Sequence, residues 1–127
     1  MENVLIYKPN LIVKSMQTEK IDLDFFYKEL ECDCIDIPYV SNELYKRKID
    51  MVIDDEGKLV DKKPTVVIVD KDDKILDVVV GNIAFCSIND EGQSIGLNNE
   101  QIEYINSLPK AVIADNDNKY EVLVIKF

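Results

Sequence analysis

Apolar residues occur in short runs along this chain of 127 residues, and polar, turn-forming residues separate the runs. Three pairs of runs are joined by segments so short that each pair predicts an antiparallel hairpin. The paired runs are 4–8 with 11–16, 65–70 with 75–80, and 110–115 with 120–127. The middle pair is rich in β-branched residues, which favour strands.

Three further segments predict strands outside these hairpins. Residues 32–40 (CDCIDIPYV) alternate between apolar and polar positions and end near Pro38. Residues 51–60 (MVIDDEGKLV) run into an Asp-Asp-Glu-Gly turn. Residues 83–88 (IAFCSI) follow Gly81-Asn82, which we expect to mark a bulge before the same sheet continues.

Two segments have the apolar spacing of a helix. Asp22 is placed to cap the first, which extends to about Glu31. Asn98, with Gln101 three residues later, forms a capping-box pattern and begins the second, which ends at Pro109. About eight strands and two helices, with turns too short for helical crossovers, predict one α+β domain over residues 1–127 with a largely antiparallel sheet.

The overall charge narrows the classes of partner. The chain has 25 acidic residues against 15 basic ones, no histidine, and a formal net charge of −10. A surface this acidic repels duplex DNA and RNA, but it still allows a small anion to bind in a local pocket. The sequence has no apolar run near the roughly 18 residues of a membrane span. No signal peptide is visible, so a cytoplasmic location is expected.

Catalytic and metal chemistry have little support in the sequence. Without histidine the commonest general base at neutral pH is missing. The carboxylates of the acidic runs stand in turn-like contexts that favour aspartate for backbone reasons. Cys32, Cys34 and Cys86 lack the spacing of a zinc site and are interpreted as small buried apolar groups. We therefore expect a protein that is not an enzyme and that needs no metal or cofactor.

One short segment, ELYKRK at residues 43–48, concentrates three cations beside a tyrosine. Ser41 is a competent cap just before it, and both a short helical turn and a loop fit the sequence. Arg47, the only arginine, fits a phosphate contact, but a solvated loop is an equally reasonable interpretation.

A nucleotide-binding site would need an aromatic face, cations and amides, and the chain supplies all three. Phe85 is the first candidate for the aromatic face, although a place in the core is its ordinary role. Further candidates are the aromatic residues Tyr39, Tyr45 and Tyr104, the cations Lys46, Arg47, Lys48, Lys62 and Lys63, and the amides Asn82, Asn89, Asn98 and Asn99.

The order of several motifs resembles a family of small phage and plasmid proteins long filed as a domain of unknown function. These motifs are IYKPN near the start, VIDDEGKL at 52–59, DVVVGNIAF at 77–85 and GLNNEQIEYI at 96–105. Among phage proteins of this build, the chain looks most like the Thoeris anti-defence protein one family. The resemblance implies a sponge that sequesters cyclic ADP-ribose isomers, made by bacterial TIR-domain enzymes, without cleaving them.

The resemblance also implies an assembly and a set of ligand-binding residues. It implies a homodimer or a higher homo-oligomer, with a hexamer among the options, and pockets between protomers in the host cytoplasm. Phe85 is the best match for the family's aromatic residue. The amide is Asn89, Asn98 or Asn99, and Lys110 stands closest to an arginine expected near the last hairpin. The remaining cations of the predicted site are Arg47, Lys62 and Lys63.

Two other functions fit parts of the sequence. An acidic phage protein can plug the basic groove of a host nuclease or restriction protein, which would require carboxylates clustered on one face. A hydrolase of the same cyclic nucleotides is the third reading.

Overall fold

The computed structural model describes residues 1–56 and 62–127, and there it contains ten strands, three α-helices and one 3-10 turn. In chain order the elements are β1 (Glu2–Lys8), the 3-10 turn (Pro9–Leu11), β2 (Ile12–Thr18), α1 (Leu23–Leu30), β3 (Ile35–Asp36), α2 (Asn42–Lys46), β4 (Ile49–Asp54), β5 (Pro64–Val69), β6 (Ile75–Val80), β7 (Ile83–Ile88), β8 (Ser94–Ile95), α3 (Asn99–Asn106), β9 (Lys110–Asp115) and β10 (Asn118–Lys126).

The first sheet is antiparallel and has the strand order β2-β1-β7-β4-β3, with β8 paired to β7. β1 and β2 form the predicted amino-terminal hairpin, with Glu2 opposite Thr18 and Lys8 opposite Ile12. The turn between them needs Asn10 in the left-handed region (φ 64°), which asparagine tolerates better than most residues.

The second sheet has the order β6-β5-β10-β9 and contains the other two predicted hairpins. Its central pair, β5 and β10, is parallel, with Val66 opposite Leu123. The β5–β6 turn is closed by the Asp70 carboxylate, which accepts hydrogen bonds from the backbone N–H groups of Asp72 and Lys74.

The main core lies between the two sheets and the carboxyl-terminal helix. Apolar side chains of both sheets meet there with Ile105 of α3 and Leu44 of α2. On the other face of the first sheet, α1 buries Phe26 and Leu30. Asp22 caps this helix as predicted, since its Oδ1 accepts from the Phe25 N–H at 2.9 Å.

The predicted α+β class with mostly antiparallel pairing is confirmed, and the number of sheets is the main difference. Gly81-Asn82 is not a bulge within one sheet, because it carries the chain from β6 of the second sheet to β7 of the first. Gly81 adopts φ +83°, and its N–H donates to the Lys63 carbonyl at 2.7 Å. Apolar alternation predicts where strands lie but not which strands pair. The sequence therefore predicted one sheet where the structure has two.

Three local predictions also change. The segment 32–40 pairs only at Ile35–Asp36, and Cys34 is exposed rather than buried. Residues 42–46 form a helix, which decides between the two readings of that segment. The strand predicted over 51–60 begins at Ile49 and ends at Asp54, and its last predicted residues, 57–60, lie outside the described part. None of the helices in the described residues is long and apolar enough to cross a membrane.

Candidate functional site

A cleft of about 620 Å³ lies at the edge of the first sheet. Its volume falls within the range of roughly 300–1,000 Å³ that is typical of small-molecule sites. Three segments form it: the loop after β3, helix α2 with the start of β4, and the end of β7. Its lining residues are Ile37, Pro38, Tyr39, Val40, Ser41, Leu44, Tyr45, Lys46, Lys48, Ile49, Asp50, Met51, Ile88, Asn89 and Asp90.

Helix α2 presents its polar face to this cleft because its apolar side is fixed in the core. Ser41 caps the helix, its Oγ accepting from the N–H groups of Glu43 at 3.2 Å and Leu44 at 3.4 Å. The Leu44 side chain is buried in the main core. Tyr45 and Lys46 follow it directly and are exposed.

Three aromatic side chains meet in solvent at this site. Tyr45 is 71% exposed and Tyr39 is 51% exposed, and their ring centroids are 5.6 Å apart at an interplanar angle of 52°. The exposed Phe127 ring lies 6.0 Å from that of Tyr39 in an edge arrangement. We call these three residues the exposed aromatic cluster. Two of them line the cleft, so it has accessible π-faces on which a planar ring can stack.

The cations of ELYKRK divide between two sides of α2. Lys46 and Lys48 line the cleft, where the Lys48 ammonium contacts the exposed carboxylate of Asp90. Arg47 points away from it and lies over the ring of Tyr104, with the guanidinium carbon 4.1 Å from the ring centroid. Its Nη2 is also 3.5 Å from Oε2 of Glu43.

Arg47 and Asn98, both predicted site residues, come together in a smaller pocket of about 260 Å³. Lys46, Glu100 and Gln101 complete its lining. Asn98 uses its side-chain oxygen to cap α3, accepting from the Gln101 N–H at 2.8 Å. This pocket is polar, and it has no aromatic face in its lining.

Gln101 holds the turn between α2 and β4 in place, a role that the sequence indicated only through the capping box. Its Nε2 donates to the Arg47 carbonyl at 2.8 Å and to Ser87 Oγ at 2.9 Å. The Lys48 carbonyl accepts from the Ile88 N–H at 3.2 Å, and Lys48 adopts φ +57°. A non-glycine residue in this conformation costs about 1 kcal/mol, which these hydrogen bonds offset.

Phe85, the predicted aromatic face, lies in the main core. It is 0% exposed, and its ring packs edge-on against Tyr7 with centroids 5.6 Å apart. It sits in the middle of β7, opposite Leu5 of β1 and Met51 of β4. A base cannot stack on it in this fold, so that expectation needs correction: the accessible rings are those of the exposed aromatic cluster.

The Lys62 ammonium is held in an ion pair within the fold. Its Nζ is 2.6 Å from Oδ2 of Asp54, a carboxylate whose side chain is only 4% exposed. It also donates to the Glu31 carbonyl at 2.9 Å. The Lys62 stem covers Gly81, where an added Cβ would lie 2.9 Å from Lys62 Cδ.

The other predicted site residues are dispersed. Lys63 lies 6.0 Å from the ring of Tyr120, and Lys110 starts the edge strand β9 of the second sheet. Asn99 is exposed in the first turn of α3. Asn89 does line the cleft, but its Oδ1 accepts from the N–H groups of Glu91 and Gln93 and so closes a turn.

Two carboxylates give the cleft its remaining charge. Burial raises the pKa of Asp50, which is half-buried on β4. The hydrogen bond from Lys48 lowers the pKa of Asp90, which is fully exposed. Among the described residues no group of three or more histidine, cysteine or acidic side chains is arranged to hold a metal ion. The cleft offers aromatic faces, cations and hydrogen-bonding groups.

The profile of one protein family, described as a domain of unknown function (DUF3846), matches residues 1–110. The chain belongs to the DUF3846 family. The match includes every residue that lines the cleft, whereas β10 and Phe127 follow the DUF3846 region. Comparison with curated proteins finds no match. Comparison with solved structures finds none either.

Proposed function

We propose that this protein binds and sequesters a small cyclic nucleotide, a cyclic ADP-ribose isomer or a related immune signal, without cleaving it. The observation that carries the proposal is the pairing of exposed Tyr39 and Tyr45 with Lys46 and Lys48 in a single cleft of about 620 Å³. The resemblance to the Thoeris anti-defence protein one family supplies the ligand class. By the same resemblance, the protein acts in the cytoplasm of an infected host.

Stacking on the tyrosines holds the base. Stacking of a base on an aromatic side chain is worth about 1–3 kcal/mol in nucleic-acid-binding proteins, and it tolerates different bases. Tyr39 and Tyr45 have the exposure this contact requires, and both rings line the cleft.

The lysines hold the phosphates. Within the described part of the chain, the ion pairs of Lys46 and Lys48 are with exposed side chains, those of Glu43 and Asp90. Exposed ion pairs are worth about 0–1 kcal/mol, so a phosphate can replace either partner at low cost. The net charge of −10 does not prevent this, since salt screens the distant carboxylates over about 8–10 Å.

A second protomer completes the site in this proposal. The resemblance implies pockets between protomers in a dimer or a higher oligomer. Ile37 and Phe127 are exposed apolar side chains beside the cleft, and they suit burial against a partner copy. Light scattering should give at least twice the chain mass of 14.6 kDa. A monomer at micromolar concentration would contradict the assembly.

The experiment that tests the function is recovery of the bound molecule. The protein is incubated in a lysate containing an activated TIR-domain enzyme, reisolated and heat-denatured, and the released molecule is identified by mass spectrometry. An intact cyclic nucleotide supports the proposal. Recovery of a linear product indicates hydrolysis instead, and recovery of nothing contradicts binding. The Tyr39→Ala/Tyr45→Ala double variant is the matched control and should release much less.

Direct inhibition of a basic host nuclease or restriction protein is the second candidate. It is favoured by the net charge of −10 and by a groove in which Asp54, Asp55 and Asp77 lie together. It predicts salt-dependent capture of a basic protein, and no nucleotide in the released fraction.

A further inference from the structure

Strand β2 forms one edge of the first sheet, whose order is β2-β1-β7-β4-β3. It pairs with β1 along its whole length without a bulge, from Ile12 opposite Lys8 to Thr18 opposite Glu2. Its other side has no backbone partner within residues 1–56 and 62–127. This strand is therefore a long and regular edge, to which a further strand can add.

The alternation of the strands fixes which backbone groups of β2 point outward. The Asn3 carbonyl of β1 accepts from the Leu97 N–H at 2.8 Å, on the side of β1 that faces away from β2. In an antiparallel strand the N–H and C=O of each residue point the same way, and successive residues alternate. The even-numbered residues of β1 therefore point to β2, where their partners are also even-numbered. The N–H and C=O groups of Val13, Ser15 and Gln17 consequently point outward.

These outward groups are accessible to another molecule. Val13, Ser15 and Gln17 are all exposed, and the neighbouring Ile12 is 61% exposed. Helix α1 packs over β1, β4 and β7, and of β2 only Met16 packs partly against that cluster. The helix therefore leaves room for a strand that adds beside β2.

The other edges of the two sheets are better protected against pairing. Strand β3 has only two residues and is followed by Pro38, and β6 has two irregularities in its register with β5. Strand β9 is regular, but the exposed Lys110 at its start has no ion-pair partner among the described side chains. The lysine of β2, Lys14, is drawn instead to Glu29 of α1 at 3.3 Å. Because a free charge on an edge strand discourages pairing, β2 is the less protected regular edge.

Strand β2 is complementary to itself in one antiparallel register. A two-fold axis at Ser15 places this residue opposite its own copy and Val13 opposite Gln17 of the second copy. Every outward N–H of the strand then donates across the axis. Lys14 stands opposite Met16 of the second copy, so no like charges oppose each other. Moving the axis by one residue either opposes two Lys14 side chains or places Val13 beyond the end of the other strand.

We infer that β2 is an interface between two copies of this chain, which pair antiparallel along this edge and continue the first sheet across a two-fold axis. The occupant is a second copy because the edge fits itself in register. The charge also favours a copy at this place. The chain has a net charge of −10, yet β2 (IVKSMQT) contains no carboxylate, so two copies repel each other less here than over an acidic surface.

This contact goes beyond the proposed function because it involves a different part of the molecule. The cleft lies beside β3 and β4, at the opposite edge of the first sheet from β2. Pairing through β2 therefore leaves both clefts open, at the far ends of one continuous sheet. A chain that uses this contact and the one beside the cleft forms an assembly larger than a dimer.

Charge variants at Ser15 test the interface and its register together. Ser15→Glu and Ser15→Lys each place like charges directly opposite across the axis, and each should raise the dissociation constant of the contact roughly tenfold or more. An equal mixture of the two should regain the wild-type assembly, because opposite charges then meet. Analytical ultracentrifugation over a dilution series measures these constants.

The matched controls for the charge variants are Val112→Glu and Val112→Lys, at an exposed position of the other regular edge, β9. Both should assemble as the wild type does. Dissociation caused by the Val112 variants but not by the Ser15 variants would assign the interface to β9 and overturn the inference. A mixture of the Ser15 variants that stays dissociated, or a wild type that is monomeric throughout, also overturns it.

A proline at the axis tests the backbone contact directly. Ser15→Pro removes an outward N–H and keeps the pairing with β1, since edge strands tolerate proline where the N–H faces solvent. It should halve the mass measured by light scattering, whereas Ser15→Ala, which keeps the N–H, should not change it. An unchanged mass for the folded Ser15→Pro protein overturns the inference and leaves the proposed function standing. The charge variants decide the question if this protein does not fold.

Amide hydrogen exchange followed by NMR gives a measurement that needs no substitution. The amides of Val13, Ser15 and Gln17 should be protected in the assembly and exchange at least roughly tenfold faster after dilution below the dissociation constant. The amides of Lys14 and Met16 bond to β1 and should exchange at the same rate in both samples. Equal behaviour of the two sets of amides overturns the inference.

Discussion

Two groups of aromatic side chains in this protein have opposite environments: one is buried in the main core and the other is exposed beside the cleft. Tyr7 and Phe85 pack edge-on in the main core, on neighbouring strands of the first sheet. Tyr39 contacts Tyr45 and Phe127 at similar centroid distances, yet all three are exposed. The first group stabilises the fold by removing apolar area from water, whereas the second keeps that area accessible.

The difference lies in the backbone that carries each group. Phe85 belongs to a strand that is paired on both sides, and its side chain lies on the face that packs into the main core. Tyr39 follows Pro38, which ends the pairing of β3, and Tyr45 stands on a helix of five residues beside the anchoring Leu44. The cleft forms here where regular pairing stops.

The largest expected effect is the loss of the core aromatic. Phe85→Ala should lower the free energy of unfolding by about 3–5 kcal/mol, because it leaves a cavity beside Tyr7. Tyr45→Ala, the matched change in the exposed cluster, should alter it by less than about 0.5 kcal/mol. Urea denaturation followed by circular dichroism measures both. A loss below 1 kcal/mol for Phe85→Ala would contradict its place in the core.

Lys62 and Lys46 differ in the same way, since one pairs with a buried carboxylate and the other with an exposed one, and this difference gives the next largest effect on stability. Lys62→Ala removes the ion-pair partner of the buried Asp54 carboxylate and should lower the free energy of unfolding by about 2–3 kcal/mol. Lys46→Ala breaks only an exposed pair with Glu43 and should cost less than about 0.5 kcal/mol. Adding Asp54→Asn to Lys62→Ala should restore part of the loss. Equal stability of the two lysine variants would refute a structural role for Lys62.

Much of the fold was predictable because its signals are local. The three hairpins, the Asp22 cap and the Asn98–Gln101 capping box depend on residues close in sequence, and the structure has all of them. The separation into two sheets was not predictable from alternation alone. It depends on the parallel pairing of β5 with β10, which are more than fifty residues apart.

The site was predictable only in part. Two residues of the cation cluster at 46–48 line the cleft, but a chain position does not reveal that Arg47 turns toward Tyr104 while its neighbours face the cleft. Phe85 was predicted as the aromatic face because it follows glycine and asparagine closely in sequence. Its burial could not be predicted, because it depends on β1 and β4, which are distant in sequence. Pro38 was the usable signal for the cleft, since it marks where β3 must stop.

The charges at the cleft should affect ligand affinity moderately. Lys48→Ala should weaken binding of the cyclic nucleotide about tenfold, because a charge-assisted phosphate contact is lost. Asp90→Asn should tighten it a few-fold, since the carboxylate that competes for Lys48 is removed. Lys71→Ala, in the distant β5–β6 turn, is the control. Titrations at two salt concentrations measure these effects, and identical affinities for Lys48→Ala and Lys71→Ala would exclude the assigned contact.

The smallest effect concerns Asp50 and depends on pH. Its pKa is raised above the usual 3.8 because burial disfavours the ionised form. The resulting penalty is absent below pH 3.8, develops as the pH rises from 3.8 to the folded-state pKa, and is complete above it. Asp50→Asn should therefore increase the free energy of unfolding at pH 7 and leave it unchanged near pH 3. The exposed Asp72→Asn should show no such difference, and a pH-independent effect of Asp50→Asn would contradict burial as the cause.

The central claim is that the exposed aromatic cluster, not the core pair, binds a cyclic nucleotide in the cleft. Calorimetric titration with a ribose-linked cyclic ADP-ribose isomer, on the wild type and on Tyr39→Ala/Tyr45→Ala, tests it most directly. The wild type should bind, and the double variant should bind at least tenfold more weakly while keeping its free energy of unfolding, since each stacking contact is worth about 1–3 kcal/mol. Equal affinity of the two proteins, or no binding by the wild type, would contradict the claim.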